Sequence, residues 1–77
     1  MTTRQAARQA AELNTDSPCV VDTAAWLGCS KADALAIERV ETLLMAEDLE
    51  TPRRRVIEAN LLRATRRADR RSARRAA

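Results

Sequence analysis

Three local signals for helix boundaries constrain the fold of this chain more than any other feature. Ser17-Pro18 and Thr51-Pro52 each place a capping residue before a proline, which is typical of a helix N-terminus. Gly28 is suited to the left-handed conformation that often ends a helix. Ser30, two residues later, is a further N-cap candidate, and Asp33 resembles the second half of a capping box. The chain is therefore predicted to form four helices, over residues 2–13, 18–27, 30–49 and from 51 to the C-terminus.

Composition also favours an all-α fold. One glycine, two prolines and a single aromatic residue, Trp26, provide little material for strands and their turns. A chain of 77 residues is one small domain that buries only about 60% of its unfolded surface. We therefore expect a small bundle of about four helices, and a homodimer that buries the surplus of large apolar side chains. That surplus comprises Leu43, Leu44, Met45, Leu49, Leu61 and Leu62.

Charge is divided along the chain near the start of the last helix. Residues 1–52 carry four basic and nine acidic side chains, a net charge of −5, whereas residues 53–77 carry ten arginines and two acidic side chains, a net charge of +8. This pattern predicts an acidic helical core at 1–51, with a helix-turn-helix-like unit at 18–49, and an extended arginine-rich helix or arm at 52–77.

The arginines of the predicted arm are spaced for one broad helix face. From residue 63 onward they recur at intervals of three and one, beside an apolar strip of Ile57, Leu61, Ala64 and Ala68. The first half of this helix, which includes Val56 and Leu62, is expected to pack on the body, and the last dozen residues are expected to lack an anchor. Such a face suits phosphate backbones, and the segment resembles the arginine-rich motifs of RNA-binding peptides and the basic tails of ribosome-associated proteins. The candidate nucleic-acid ligands here are Arg53, Arg54, Arg55, Arg63, Arg66, Arg67, Arg70, Arg71, Arg74 and Arg75.

Two other interpretations of this arginine face stay open. It can pair with the acidic third helix, within the chain or across a dimer, or it can be simply solvated.

Residues 23–37 combine a helix, a left-handed turn and a capped second helix. Ala24 leaves room for two helices to cross, and Gly28 follows four residues later. In this pattern the segment resembles the helix-turn-helix of small DNA-binding regulators of the MerR and excisionase type. The resemblance implies turn positions at Leu27 and Cys29 and buried positions at Ala34 and Ile37. Trp26 is expected to cover one side of this core.

The same resemblance places base and phosphate contacts at the start and outer face of the third helix. Ser30, Lys31 and Arg39 are the predicted nucleic-acid ligands there, beside Ala32 and Ala36. The third helix is also acidic, which is unfavourable next to phosphates. Its acidic side chains are Asp33, Glu38, Glu41, Glu47 and Asp48.

Catalytic, metal-binding and membrane functions find little support. Histidine is absent, and Cys19 and Cys29 are ten residues apart without a metal-ligand spacing, so we expect no enzyme, cofactor or metal site. Strictly apolar runs reach only four residues, so no membrane partner is expected. The N-terminal stretch lacks the apolar core of a secretory signal, which favours the cytoplasm.

Two functional hypotheses follow from the sequence. The first is a small nucleic-acid-binding protein, with DNA favoured over RNA, acting as a helix-turn-helix regulator of a phage or mobile element. The alternative is a protein-interaction module, such as a phage-encoded inhibitor or a small subunit that docks on a nucleoprotein assembly. The acidic third helix favours the alternative, and the arginine-rich helix favours the first.

Overall fold

Four α-helices joined by short connections form the part of the chain that the computed structural model describes, residues 1–76. They confirm the predicted all-α bundle. The helices are α1 (Thr3–Glu12), α2 (Pro18–Leu27), α3 (Lys31–Leu44) and α4 (Thr51–Ala76). Among the described residues, none of these helices combines the length and apolar character that crossing a membrane requires.

Side-chain caps fix the starts of α1 and α3. The Thr2 Oγ accepts the Gln5 N–H, and the Gln5 side chain accepts the Thr2 N–H at 2.8 Å, which completes a capping box that the sequence analysis did not identify. At α3 the Ser30 Oγ accepts the Asp33 N–H at 3.1 Å. The predicted second half of that box is wrong, because the Asp33 carboxylate bonds to Arg71 instead.

Helix α2 also starts at the predicted residue, but it lacks the predicted hydrogen bond from the helix backbone to the Ser17 side chain. Ser17 is the N-cap residue and Pro18 begins the helix, yet the Ser17 Oγ makes no bond to the helix. It accepts the N–H of Asn14 at 3.0 Å and so tightens the preceding turn.

The other three helices all pack on α3, which is the central helix of the bundle. It ends at Leu44 rather than at the predicted residue 49. The Arg54 guanidinium explains this end, since it donates to the carbonyls of Leu44 and Ala46 at 3.0 Å each. The Glu47 N–H then donates to the Met1 carbonyl at 2.8 Å, which ties the connection between α3 and α4 to the chain start.

Small residues dominate the two core clusters. Between α2 and α3, Val20, Ala24 and Ala34 are buried with Cys29 and Leu35 packed against them. The second cluster joins α1 to the α3–α4 connection and contains Ala6, Ala46 and Leu49. The predicted burial of Ala24, Ala34 and Ile37 and the packing of Cys29 are confirmed.

Several predicted apolar contacts are wrong. Trp26 is 87% exposed and covers no part of the core, and Val56 and Leu62 lie on the outer side of α4 at 61% and 51% exposure. On α1 the buried residues are Ala6 and Ala10, whereas Ala7 and Ala11 are exposed. The apolar surplus is smaller than expected, because only Met45 and Leu62 of that set remain exposed; Leu49 is buried and the other leucines of the set are partly buried.

Candidate nucleic-acid interface

Helix α4 runs back along α3 and is held at both ends. Near its start, Arg54 binds the carbonyls at the end of α3. Near its C-terminal end, Arg71 Nη1 lies 2.9 Å from the Asp33 Oδ1, and the Ser72 hydroxyl donates to the Gly28 carbonyl at 2.8 Å. The expectation that the last dozen residues lack an anchor is therefore wrong, because polar contacts and the buried Ala68 hold them.

The inner side of α4 is the predicted apolar strip. Ala68 is 1% exposed, and Ile57, Leu61 and Ala64 are partly buried. This strip orients the helix, so that the arginines on its far side point away from α3.

Five arginines form an outward basic face on α4. At 100° per residue they fall within an arc of about 100° on the side away from the apolar strip. All five are exposed, and among the described residues none of them takes part in an ion pair. This outer arginine face consists of Arg63, Arg66, Arg67, Arg70 and Arg74.

One arginine of α4 pairs with an acidic side chain of α3, as one of the alternative interpretations expects. Arg71 pairs with Asp33, and the other ion pair of the described residues joins the Met1 amino group to Glu47 at 3.4 Å. Arg63 Nη1 donates to the Asn60 Oδ1 at 3.5 Å. Most of the positive charge of α4 therefore stays in contact with solvent.

The predicted ligands on α3 have different surroundings. Lys31 is exposed at the first turn. Ser30 uses its hydroxyl as the helix cap, and Arg39 Nη2 donates to the Leu13 carbonyl at 2.9 Å, which fastens α3 to the end of α1. Because α3 is also covered by the other three helices, its first turn is the part best placed to meet a ligand.

The three arginines at the start of α4 are separated from the rest. Arg53 and Arg55 are exposed, and Arg54 is partly buried in its cap of α3. Residue 53 is 18 positions before Arg71, which corresponds to about 27 Å along the helix. The structure does not bring these side chains to the same place as Ser30 or Lys31.

The C-terminal end of α4 does meet the start of α3. Ser30, Arg71, Arg74 and Arg75 line one recess of about 360 Å³. The structure thus brings together four predicted site residues, although Ser30 lies more than 40 positions before the three arginines in the sequence.

Two carboxylates and one thiol have pKa values that differ from their ordinary values. Burial, followed by the nearby charge of Glu38, raises the pKa of Glu41. Burial, followed by the charge of Asp33, raises the pKa of the Cys29 thiol. Hydrogen bonds from Thr3 lower the pKa of Asp48.

Among the described residues, no three histidine, cysteine or acidic side chains come together in a way that suits a metal ion. Comparison of the chain with protein-family models, curated proteins and solved structures found no match.

Proposed function

We propose that this protein binds nucleic acid, with the outer arginine face of α4 in contact with the phosphate backbone. The observation that carries the proposal is the side-by-side exposure of the five arginines of that face, without a carboxylate partner among the described residues. Guanidinium groups present a planar fork of donors that matches phosphate oxygens, and most protein–DNA hydrogen bonds are made to the backbone.

The dimensions of this face suit a duplex. Residues 63–74 cover about 16 Å of helix at 1.5 Å per residue. The major groove of B-DNA is about 12 Å wide, so arginines along this length can reach phosphates on both sides of the groove. Neighbouring phosphates on a strand give each guanidinium an acceptor.

DNA is the favoured nucleic acid in this proposal. The left-handed Gly28 and the capped α3 support a helix-turn-helix corner of the regulator type. Lys31 is the exposed α3 residue with the clearest access to a base edge. A regulatory role in a phage or mobile element, in the cytoplasm, fits such a protein, and we expect Lys31→Ala to reduce sequence preference more than overall affinity.

Fluorescence anisotropy with labelled duplex DNA and RNA tests the proposal. The double variant Arg66→Gln/Arg70→Gln removes two charges from the outer arginine face. Its matched control, Arg4→Gln/Arg8→Gln, removes two exposed charges from α1. We expect the first variant to lose about tenfold in affinity or more and the control to lose much less. Equal losses in the two variants, or no binding of the wild-type protein at low salt, would contradict the proposal.

A second candidate function is docking on a protein, as a phage-encoded inhibitor or as a small subunit of a nucleoprotein assembly. The exposure of Trp26 favours it, because a large aromatic side chain that leaves the core is a typical interface anchor. This candidate predicts a purified partner that stays bound after nuclease treatment and is released by Trp26→Ala. Loss of the partner on nuclease treatment alone favours the first function.

A homodimer belongs to the same proposal, since a two-fold pair matches a palindromic site. Met45, Val56 and Leu62 are among the exposed apolar side chains available to it, together with Val21 and Trp26. Sedimentation equilibrium at micromolar concentration distinguishes a dimer from a monomer.

A further inference from the structure

The last turns of α4 cross the start of α3 and leave a recess between them. Its lining is Ser30 from the N-cap of α3 and the side chains of Arg71, Arg74 and Arg75. Its volume of about 360 Å³ exceeds by several-fold the roughly 30 Å³ that one water occupies in the liquid. The recess is shallow and open to solvent, so a hydrated tetrahedral anion can reach it.

The recess is positively charged from two directions. Three arginine side chains line it from α4, and the first turn of α3 adds the positive end of a 14-residue helix. The Ser30 hydroxyl takes the N–H of Asp33, and the N–H groups of Lys31 and Ala32 have no acceptor within the helix itself. Helix starts of this kind are common anion sites when other donors accompany them.

Asp33 holds one of these donors in place. Its carboxylate is 6% exposed and accepts from Arg71 Nη1 at 2.9 Å, while its second oxygen has no hydrogen-bond partner among the residues that the structure describes. The Arg71 side chain is still 56% exposed, so its remaining N–H groups are accessible from the recess. Asp33 and the three arginines that line the recess together carry a net charge of +2.

We propose that this recess binds one phosphate group of a nucleic acid. The inference rests on the proposed function and adds to it a specific contact that is distinct from the outer arginine face. Arg71 and Arg75 bind the phosphate oxygens, Arg74 belongs to both surfaces, and Asp33 is a positioning residue for Arg71. The phosphate is either an internal phosphodiester or a terminal phosphate of the nucleic acid, which share this chemistry.

Trp26 provides a signal at this corner of the protein. It is the sole aromatic residue and lies two positions before Gly28, whose carbonyl accepts the Ser72 hydroxyl. Its intrinsic fluorescence can be followed during a phosphate titration. Titration with sodium phosphate, compared with sodium chloride at equal ionic strength, measures this binding directly, and calorimetry checks it independently.

Two double variants separate the recess from the outer arginine face. Arg71→Gln/Arg75→Gln removes two recess charges, and Arg63→Gln/Arg67→Gln removes two charges from the outer face as the matched control. We expect the recess variant to lose at least tenfold in phosphate affinity and the control to keep it. Both variants are expected to bind duplex DNA more weakly than the wild-type protein.

A third variant keeps the test valid if the loss of Arg71 unfolds the protein. Asp33→Asn/Arg71→Gln removes both charges of the buried pair and leaves two amides that can bond to each other. Circular dichroism checks that each variant is helical. This variant is also expected to lose phosphate binding, because the guanidinium rather than the pair is the ligand.

The outcomes distinguish this proposal from the function on which it rests. Wild-type protein that binds duplex DNA but not phosphate, or a recess variant with unchanged phosphate affinity, overturns the recess proposal and leaves the proposed function standing. Absence of DNA binding overturns the proposed function. Tighter binding of a 5′-phosphorylated duplex than of the same duplex with 5′-hydroxyl ends assigns the recess to a terminal phosphate, and equal binding assigns it to the backbone.

Discussion

Asp48 caps a helix from far away in the sequence. Its Oδ1 accepts both the N–H and the hydroxyl of Thr3, each at 2.7 Å, across 45 residues. The hydroxyl bond, followed by the N–H bond, holds the pKa of Asp48 below its ordinary value of 3.8. A carboxylate at the first turn of α1 also interacts favourably with the helix dipole.

The variant Asp48→Asn tests this cap through its pH dependence. Because the pKa is lower in the folded state than in the unfolded chain, the charged carboxylate stabilises the fold above pH 3.8, and this contribution is lost as the pH falls through the folded-state pKa. We expect the variant to have a lower Tm than the wild-type protein at neutral pH. The difference should shrink when the pH is well below 3.8. A Tm difference that is constant with pH would contradict this assignment.

Trp26 and Val20 lie on the same helix and are expected to have opposite effects on stability. Trp26 is 87% exposed, so Trp26→Ala should change the free energy of unfolding by no more than about 0.5 kcal/mol. Val20 is fully buried between α2 and α3, and Val20→Ala should cost about 2 kcal/mol. Urea unfolding followed by circular dichroism measures both. A large loss of stability in the Trp26 variant would mean that this side chain packs on the body.

The α2–α3 turn depends on the backbone conformation of one residue. Gly28 has a φ of 66°, which is the left-handed region that other residues adopt only with strain. A Cβ atom built at this position would lie 3.7 Å from the Ser72 Oγ, an ordinary contact. The cost of Gly28→Ala is therefore conformational, and we expect a loss of about 1–2 kcal/mol in the free energy of unfolding.

Ala25→Gly is the matched control for that variant. Ala25 is an exposed residue within α2, where glycine should cost about 1 kcal/mol through helix propensity alone. The Gly28 variant should retain the hydrogen bond from Ser72 and hence its affinity for nucleic acid. A loss of binding that is much larger than the loss of stability would show that the turn itself contacts the ligand.

The helix starts could be predicted from the sequence because their signals are local. Ser17 and Ser30 are the residues before α2 and α3, and α4 begins at Thr51 itself, one residue earlier than a Thr51 cap would place it. The apolar strip of α4 follows the helical period. The end of α3 was not predictable in this way, because Arg54 from the next helix binds the carbonyls beyond Leu44. A contact of this kind depends on how two helices pack and leaves no periodic pattern.

Only part of the candidate site could be predicted from local sequence signals. The spacing of the arginines defines a basic face from sequence alone, but it does not show which of them pairs with a carboxylate. The Arg71–Asp33 contact joins residues 38 positions apart and needs α4 to fold back along α3. The recess at Ser30 could not be predicted either, because its lining comes from the start of α3 and the C-terminal end of α4, which are far apart in the sequence.

At the scale of the whole molecule, packing decides which charges face outward. All three other helices cover α3, and Arg39 and Asp33 of that helix are engaged within the protein. The outer arginine face has no such contacts to carboxylates among residues 1–75. The largest group of solvent-exposed positive charges therefore lies along one side and at one end of α4.

The salt dependence of duplex DNA binding tests this account most directly. If five arginines of the outer face contact phosphates, the logarithm of the association constant should fall with the logarithm of the salt concentration with a slope of about −4 to −5. Arg66→Gln/Arg70→Gln should reduce that slope by about 2, and Arg4→Gln/Arg8→Gln should leave it unchanged. A wild-type slope near zero, or a slope that the two variants alter equally, would contradict the account.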